Sequence, residues 1–439
     1  MAKSAREIAF DCLRAFRRSG TWADQYLKDA LAKEPLSRRD AALAAQLVYG
    51  VLQNRALIDF YIAAYSSVPF ARIEPQVLDI LRIGVYQIAL LDRIPPHAAV
   101  NESVALVRRH AARAAGFANA LLRRVAAERG HLPEPGGGRE ARLAVLTSHP
   151  EWLVRRLLAE FGDEAEQILY ENNRAPTICA RVNPLVTDVA GACKALAEDG
   201  VSAAAHPWLP GCITLAETGD IAALSAFRGG CFHVCDPASQ LAALALDVRP
   251  GMRVLDTCAA PGGKTFLLAG QLAGDGVLQA CDIHEHKLAR MRRDAARLHI
   301  SNLELLCRDA REPRPDWDAR WDAVLCDVPC SGLGVIRKKP EIRLKAEEEI
   351  ARLPEIQRAI LEQAARFVAP GGALVYSTCT ILRCENGQVV ADFLEKHPEF
   401  ARERMALPCP RGENDGEITL LPHRNETDGF FICKLRRRA

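Results

Sequence analysis

The sequence lacks any run of about eighteen apolar residues, and its first residues contain no apolar stretch of the kind found in secretory signal peptides. The first absence argues against a membrane-spanning helix, and the second argues against export. We therefore expect a cytoplasmic chain that has no membrane partner.

A disulfide framework is also absent from the pattern. The chain contains 15 cysteines in 439 residues, and their odd number and scattered spacing favour a reducing compartment. Because 49% of the residues are hydrophobic, large cores can form without covalent cross-links. The length predicts two or three domains.

No set of four metal ligands with regular spacing is evident in the sequence. Cys231, His233 and Cys235 would share one face of a strand, and cysteine and histidine are the ligands that zinc prefers. Three residues with a period of two are, however, typical of a half-buried strand. We therefore predict that the chain holds no metal.

Charge is distributed unevenly along the chain, although the formal net charge is only +2. Residues 1–130 contain 19 Lys and Arg against 12 Asp and Glu, a charge of +7, and the remainder carries 38 against 43, a charge of −5. This asymmetry fits a first third that meets a polyanion. On charge alone, an ordinary solvated helical surface explains it equally well.

Hydrophobic periodicity predicts a multidomain protein. Apolar residues at three- and four-residue spacing predict an all-α bundle over 1–130, and a Pro- and Gly-rich linker follows over 131–144. Residues 145–235 predict a small α+β module, and strands alternate with helices over 236–439, as in a doubly wound α/β sheet. Strands are predicted at 253–257, 277–281, 303–307, 321–327 and 372–378, and an antiparallel one at 429–433. Helices are predicted at 264–273, 285–299, 354–368 and 385–396.

The stretch Val254–Thr265 predicts a strand, a tight turn and a helix that begins near Lys264, which together present backbone N–H groups to a ligand. The turn Pro261-Gly-Gly263 lacks the G-x-G-x-x-G dinucleotide pattern, and Cys258 stands where a P-loop has its first glycine. Asp282, nineteen residues after Gly263, instead favours a nucleoside cofactor at the carboxyl end of the first strand.

Two cysteines follow predicted strands of the same sheet. Cys330 comes after Asp327, and Cys379 ends the run 373–379, so both thiols should face one cleft beside the cofactor. A reactive thiol needs help to ionise. Lys264 and the helix start near Glu385 are the candidate sources of that help.

These motifs carry a resemblance to a known family. The segments Asp256–Thr265, Asp327-Val-Pro-Cys330 and Ser377-Thr-Cys-Thr380 resemble those of the Nol/Nop/Sun family of S-adenosylmethionine-dependent RNA cytosine-5 methyltransferases. The helical first domain with Asn119-Ala-Leu-Leu-Arg123 resembles the NusB-like domain of the bacterial Sun type, which acts on 16S ribosomal RNA. The resemblance implies a Rossmann-like C-terminal methyltransferase domain, RNA-binding roles for the bundle and the middle module, and 16S ribosomal RNA as the partner.

The resemblance also implies roles for individual residues. Cys379 would be the nucleophile, Cys330 would assist product release, and Asp327 would contact both the cofactor and the cytosine. Asp282 would bind the ribose of S-adenosylmethionine, and Asp309 would lie by its adenine. The methionine end of the cofactor would meet the segment made of Cys258, Ala259, Ala260, Pro261, Gly262, Gly263 and Lys264.

Further implications concern the RNA and the assembly. Segments 181–183 and 423–431 match family elements near the RNA, whereas Arg383-Cys384 departs from the more usual Pro before Glu385. We expect a monomer that does not act on DNA. The alternatives are a P-loop-type ATPase and a non-catalytic RNA-binding scaffold, although a scaffold needs neither the cysteine pair nor the Gly-Gly-Lys turn.

The charge of residues 1–130 generates a first prediction. If this segment contacts phosphates, the affinity of the full chain for RNA should fall steeply and log-linearly with salt, because each phosphate contact releases counterions. Filter binding over a salt series measures the slope. An affinity independent of salt would contradict the assignment.

Overall fold

In the computed structural model of the protein, residues 3–19, 23–34 and 36–439 are described, so residues 1, 2, 20–22 and 35 of the predicted first domain lie outside the described residues. The chain divides into two compact units. One comprises Met1–Arg174 with Ile336–Lys345, and the other comprises Ala175–Val335 with Ala346–Ala439. Among the described residues, no helix is both long and apolar enough to cross a membrane.

The first unit is helical, as predicted for its N-terminal part. Its helices are α1 (Ala5–Ser19), α2 (Ala23–Lys33), α3 (Arg38–Gln53), α4 (Arg55–Tyr65), α5 (Pro75–Leu90), α6 (Pro96–His110), α7 (Ala115–Ala127), α8 (Arg139–Leu146), α9 (Glu151–Phe161) and α10 (Glu164–Glu171).

Helix α5 lies at the centre of this bundle, because residues around most of its circumference are buried. Two of them are charged, Asp79 and Arg82. Arg82 donates to both oxygens of Asp59 at 2.7 and 2.8 Å and to Asp79 at 3.2 Å. The buried Arg82 cation is tolerated because its N–H groups donate hydrogen bonds to the carboxylates of Asp59 and Asp79.

The segment Ile336–Lys345 belongs to the helical unit although it is distant in sequence. Its Arg343 is 1% exposed and donates to the backbone oxygens of Gln53, Thr147 and Ser148 at 2.6 to 3.2 Å. Burial lowers the pKa of Arg343 to about 9, so the side chain stays charged at neutral pH. This arginine joins the end of α3 to the turn after α8.

Two features differ from the sequence-based division. Helix α8 begins at Arg139, inside the predicted linker 131–144. Helices α9 and α10 belong to the helical unit, whereas the predicted middle module begins at residue 145. The spacing of apolar residues over 153–170 predicts helices, but it does not indicate which hydrophobic core these helices pack against.

The second unit contains two sheets. The smaller one is antiparallel in the order β2-β3-β1-β4 and has α11 (Val189–Glu198) and α12 (Ser225–Arg228) with it. Its strands are β1 (Ile178–Val182), β2 (Ser202–Ala205), β3 (Cys212–Ala216) and β4 (Phe232–Val234).

The larger sheet has the order β10-β12-β9-β8-β5-β6-β7, with β11 paired to β12. Its strands are β5 (Arg253–Asp256), β6 (Val277–Asp282), β7 (Leu303–Cys307), β8 (Trp321–Asp327), β9 (Val368–Thr378), β10 (Phe400–Arg402), β11 (Glu417–Leu420) and β12 (Phe430–Arg437). Its helices are α13 (Pro237–Leu244), α14 (Gly263–Leu272), α15 (Glu285–Arg297), α16 (Glu347–Ala351), α17 (Leu353–Phe367), α18 (Gly387–Lys396) and α19 (Pro422–Asn425).

Strands β5 to β9 are mutually parallel, and β12 runs antiparallel to β9. The chain builds outward from β5 to β7 and then returns to β8 on the other side of β5. Ligands of open α/β sheets bind where the strand order reverses in this way. The predicted fold class is confirmed, and the fold directs attention to the carboxyl ends of β5 and β8.

The contribution of Arg343 to the stability of the helical unit can be tested by substitution. Arg343→Met should lower the free energy of unfolding by about 3 kcal/mol, because it leaves several buried carbonyl groups without donors. The exposed Arg352→Met is the matched control. Urea unfolding monitored by circular dichroism measures both, and equal stability of the two variants would contradict the role given to Arg343.

Candidate active site

The turn after β5 is built for close approach of a ligand. Gly262 has φ of +105°, and a Cβ there would meet the ring of Phe266 at 2.5 Å. Only glycine adopts this backbone without strain or clash. Helix α14 begins at the next residue, so its N-terminal N–H groups point toward the space above the sheet.

Buried polar groups hold this turn on the strand below it. Asp256, at the end of β5, accepts a hydrogen bond from Thr265 Oγ1 at 2.7 Å. Burial raises the pKa of Asp256 to about 7. The side chain thereby ties the last residue of β5 to the first turn of α14.

His233 supports the same turn from the smaller sheet. Its Nε2 lies 3.0 Å from the backbone oxygen of Gly263, and a carbonyl can only accept, so Nε2 carries the proton. Burial lowers the pKa of His233 to about 4, which keeps the ring neutral. The sequence pattern offers His233 only as a strand residue or a metal ligand, because its partner lies thirty residues away.

The two acids predicted to bind the nucleoside differ in their surroundings. Asp282, at the end of β6, accepts from the backbone N–H groups of Ala260 at 3.3 Å and His284 at 2.9 Å. It therefore lies directly beside the turn. Both oxygens of Asp309 accept from Arg311, whose side chain lowers the pKa of that carboxyl. An adenine contact by Asp309 stays a prediction.

Lys264 and Asp327 form an ion pair at the switch point between β5 and β8. Lys264 Nζ lies 2.7 Å from Asp327 Oδ2, and Ser377 Oγ donates to Asp327 Oδ1 at 2.7 Å. Burial lowers the pKa of Lys264, but the Asp327 carboxylate outweighs it and the net shift is upward. Lys264 is thus a cation fixed between the first and fourth strands of the sheet.

The two strand-end cysteines meet beside this ion pair. The Sγ atoms of Cys330 and Cys379 are 3.1 Å apart, and neither residue forms a disulfide. Cys379 follows the last residue of β9, and Cys330 follows β8 in the next loop. The expectation that both thiols face one cleft is in agreement with this geometry.

The environment makes the two thiols unequal. A hydrogen bond from the Cys330 thiol lowers the pKa of Cys379 against the effect of burial, and Lys264 lowers it further. The same hydrogen bond, together with burial, raises the pKa of Cys330. Of the pair, Cys379 is therefore the thiol that ionises more readily, and Cys330 is the one that keeps its proton more readily. Burial also raises the pKa of Cys258, which stays protonated.

Activation of the thiols by the helix start near Glu385 stays a prediction, and the charge of Glu385 itself acts against it. Helix α18 begins at Gly387, after a 3-10 turn at Arg383–Glu385, and the buried Glu385 carboxylate raises the pKa of both thiols. Glu385 instead accepts from the Ser331 N–H at 2.8 Å and from Gln357 Nε2 at 2.9 Å. Its role is to fix the loop that carries Cys330.

The residues expected near RNA are largely used inside the fold. The amide of Asn183 donates to the carbonyl groups of Gly230 and Leu298 at 3.0 and 2.8 Å, which joins the smaller sheet to the end of α15. Arg181 Nη1 donates to the Pro210 carbonyl at 2.7 Å. Phe430 and Phe431 are buried in β12. Their contact with RNA stays a prediction.

Fold and site together define the class: a Rossmann-like methyltransferase with a basic helical domain before it. The chain belongs to the RsmB/F family of 16S rRNA methyltransferases. The family model described as 16S rRNA methyltransferase RsmB/F matches residues 243–436. The NusB family matches residues 3–127, and the ferredoxin-like domain of RsmF/B-like methyltransferases matches 149–222.

Curated relatives match over nearly the full length. The probable ribosomal RNA small subunit methyltransferase B of Bacillus subtilis is 35% identical over 99% of each chain. The ribosomal RNA small subunit methyltransferase B of Pseudomonas putida is 34% identical over 92% of each chain. The solved methyltransferase homologue from Pyrococcus horikoshii is 27% identical, covers 69% of this chain and 100% of its own, and has a TM-score of 0.60.

The cofactor is accordingly S-adenosylmethionine, and the residues present fit it. The turn at Gly262 leaves no room for a Cβ, the N-terminus of α14 offers N–H groups for a carboxylate, and Asp282 offers a carboxylate for ribose hydroxyls. Membership of the family excludes a P-loop ATPase and a non-catalytic scaffold as the function of this chain.

The ion pair generates a test of the thiol environment. Lys264→Met removes the cation and leaves the Asp327 charge unpaired, so the pKa of Cys379 should rise by about one pH unit. Alkylation of Cys379 against pH, followed by peptide mass spectrometry, measures the midpoint. The exposed Lys287→Met should leave it unchanged. The same midpoint in both variants would contradict the electrostatic role of Lys264.

Proposed function

We propose that the chain transfers a methyl group from S-adenosylmethionine to C5 of a specific cytosine in 16S ribosomal RNA, through a covalent bond between Cys379 and C6 of the base. One observation carries the proposal. Two thiols lie 3.1 Å apart, one with a lowered and one with a raised pKa, beside a Lys–Asp ion pair at the cofactor edge of the sheet.

Cytosine C5 is a poor nucleophile, so a protein thiolate has to activate the base before C5 can attack a methyl group. Addition of the Cys379 thiolate at C6 moves electron density onto C5, and an acid near N3 and the amino group stabilises the charge that develops there. Asp327 is our candidate for that acid, with its geometry held by Lys264 and Ser377. Its carboxylate takes up a proton from solvent when the base binds, gives that proton to N3 as the bond to C6 forms, and recovers it when the Cys379 thiolate leaves. S-adenosylmethionine supplies the electrophilic methyl group.

Cys330 fits the step that completes the reaction. Its pKa is raised chiefly by its hydrogen bond to Cys379, so the pKa falls once the Cys379 sulfur is bonded to C6. A thiol that has become more acidic can lose its proton to solvent, and the resulting thiolate can then accept the proton from C5. The electron pair of the C5–H bond restores the C5–C6 double bond, and the Cys379 thiolate leaves.

Hydrogen bonds to the backbone fix the positions of the two loops that carry Cys330 and Cys379. Gly334 donates its N–H to the Cys379 carbonyl at 3.0 Å, and Glu385 holds the Ser331 N–H. The target base has to be unpaired or extruded for its C6 atom to reach Cys379. We further propose that the basic helical domain positions the RNA for this step.

Cysteine variants separate the two roles. Cys379→Ala should abolish methyl transfer and leave S-adenosylmethionine affinity nearly unchanged, because the thiol is a nucleophile and not a cofactor ligand. Cys330→Ala should form the RNA adduct but resolve it slowly, so that enzyme and RNA migrate together on a denaturing gel. Cys384→Ala, a nearby half-buried cysteine, is the control. An adduct in Cys379→Ala and none in Cys330→Ala would reverse the assignment.

The substrate is tested in cells. Bisulfite sequencing of 16S ribosomal RNA should show one cytosine that is protected when the wild-type gene is present and unprotected when it is deleted. Complementation by the Cys379→Ala variant should fail to restore protection. Unchanged protection in the deletion strain would contradict the proposed substrate.

A further inference from the structure

Three side chains with metal-binding atoms meet away from the active site. They are Cys179 on β1, Cys212 at the start of β3 and His206, which follows β2; their ligand atoms all lie within 4.8 Å of one another. Cys179 and Cys212 belong to diagonal positions on one face of the antiparallel pair, because Cys212 is opposite Arg181. This trio differs from the one considered in the sequence.

The spacing suits a tetrahedral metal. Zinc binds cysteine sulfur at about 2.3 Å and histidine nitrogen at about 2.0 Å, which puts neighbouring ligand atoms about 3.6 to 3.8 Å apart. Ligand atoms already within 4.8 Å of each other need to move by about 1 Å or less. Two of the ligands are carried by paired strands, so the backbone is fixed before any metal arrives.

The histidine offers a buried ring nitrogen to the site. Its Nδ1 atom is buried and has no hydrogen-bond partner among the described residues. The ring packs edge-on against Trp208 at 4.5 Å, and Trp208 Nε1 donates to Glu426 at 3.1 Å. The imidazole is therefore held in place while one buried nitrogen lacks a partner.

The sulfur atoms also have a donor ready. Gln240 Nε2 lies 3.2 Å from Cys212 Sγ and 2.9 Å from the Cys235 carbonyl, so the amide is oriented to donate to the sulfur. Such N–H donors stabilise metal-bound thiolates.

The two cysteines could also be ordinary core residues, because free thiols often pack in apolar cores. Both are buried in the cluster that also contains Leu209 and Leu241. That explanation does not account for the orphaned nitrogen of His206 or for the amide directed at Cys212. A core filled only by apolar groups leaves such a nitrogen at a cost.

We propose that Cys179, His206 and Cys212 form a zinc site, with water as the fourth ligand. The two thiolates balance the charge of Zn²⁺. The metal fastens β1 and β3 to the segment that joins β2 and β3, so its role is to stabilise the smaller sheet and not to take part in methyl transfer.

The catalytic thiol pair has to be removed from the test, since it could bind metal on its own. In the full-length Cys330→Ser, Cys379→Ser chain, one equivalent of Co²⁺ should give intense visible bands of a tetrahedral site and near-ultraviolet thiolate charge transfer. Adding Cys212→Ser should abolish these bands, whereas adding Cys193→Ser, a half-buried cysteine of α11, should not. Bands that persist without Cys212, or no bands in the parent chain, would overturn the proposal.

A second measurement keeps all three proposed ligands, in the Cys330→Ser, Cys379→Ser chain, so it does not depend on the folding of a ligand variant. One equivalent of Zn²⁺ should slow the alkylation of Cys179 and Cys212 at least tenfold and leave that of Cys193 and the exposed Cys307 unchanged, as read by peptide mass spectrometry. Equal rates with and without Zn²⁺ would contradict the site. Methyl transfer is measured on the wild-type chain without added metal, so failure here leaves the proposed function intact.

Discussion

The ion pair between Lys264 and Asp327 is the interaction on which the site depends. It joins helix α14 to the end of strand β8 across the switch point, with Lys264 Nζ 2.7 Å from Asp327 Oδ2. Taking two charges out of water costs several kcal/mol per ion, so such a pair persists only when further contacts hold it. Ser377 supplies one contact, and the ring of Phe430, 5.0 Å from Lys264 Nζ, supplies another.

The chemistry of the thiols follows from that pair and from their mutual contact. Lys264 favours the anionic form of Cys379, and a hydrogen bond from the Cys330 thiol to the Cys379 sulfur favours the same form. The negative charges of Asp327 and Glu385 act in the opposite direction. The balance leaves one thiol poised to attack and the other poised to hold a proton. A single-cysteine site on this sheet would lack the second function.

Local sequence patterns predicted the strands that end at Asp256, Asp282 and Asp327, because an apolar run followed by an acid is a short-range signal. They also predicted that Cys330 and Cys379 meet, since the carboxyl ends of parallel strands share one edge. The long-range contacts that hold the site and the helical unit in place could not be predicted from local patterns. His233 reaches Gly263, and Arg343 reaches Gln53 across 290 residues of sequence. No periodicity marks such contacts, because tertiary packing alone selects the partner.

In the proposed reaction it is Cys379, and not Cys330, that attacks the base. The most direct test uses the unmodified enzyme with S-adenosylmethionine and 16S RNA in which cytidine is replaced by 5-fluorocytidine. Fluorine at C5 cannot leave as a proton does, so the covalent species is trapped after methyl transfer. Protease and nuclease digestion followed by mass spectrometry then identifies the modified peptide. We expect a nucleotide on the peptide that contains Cys379, whereas a nucleotide on the peptide that contains Cys330 would contradict the assignment of the nucleophile.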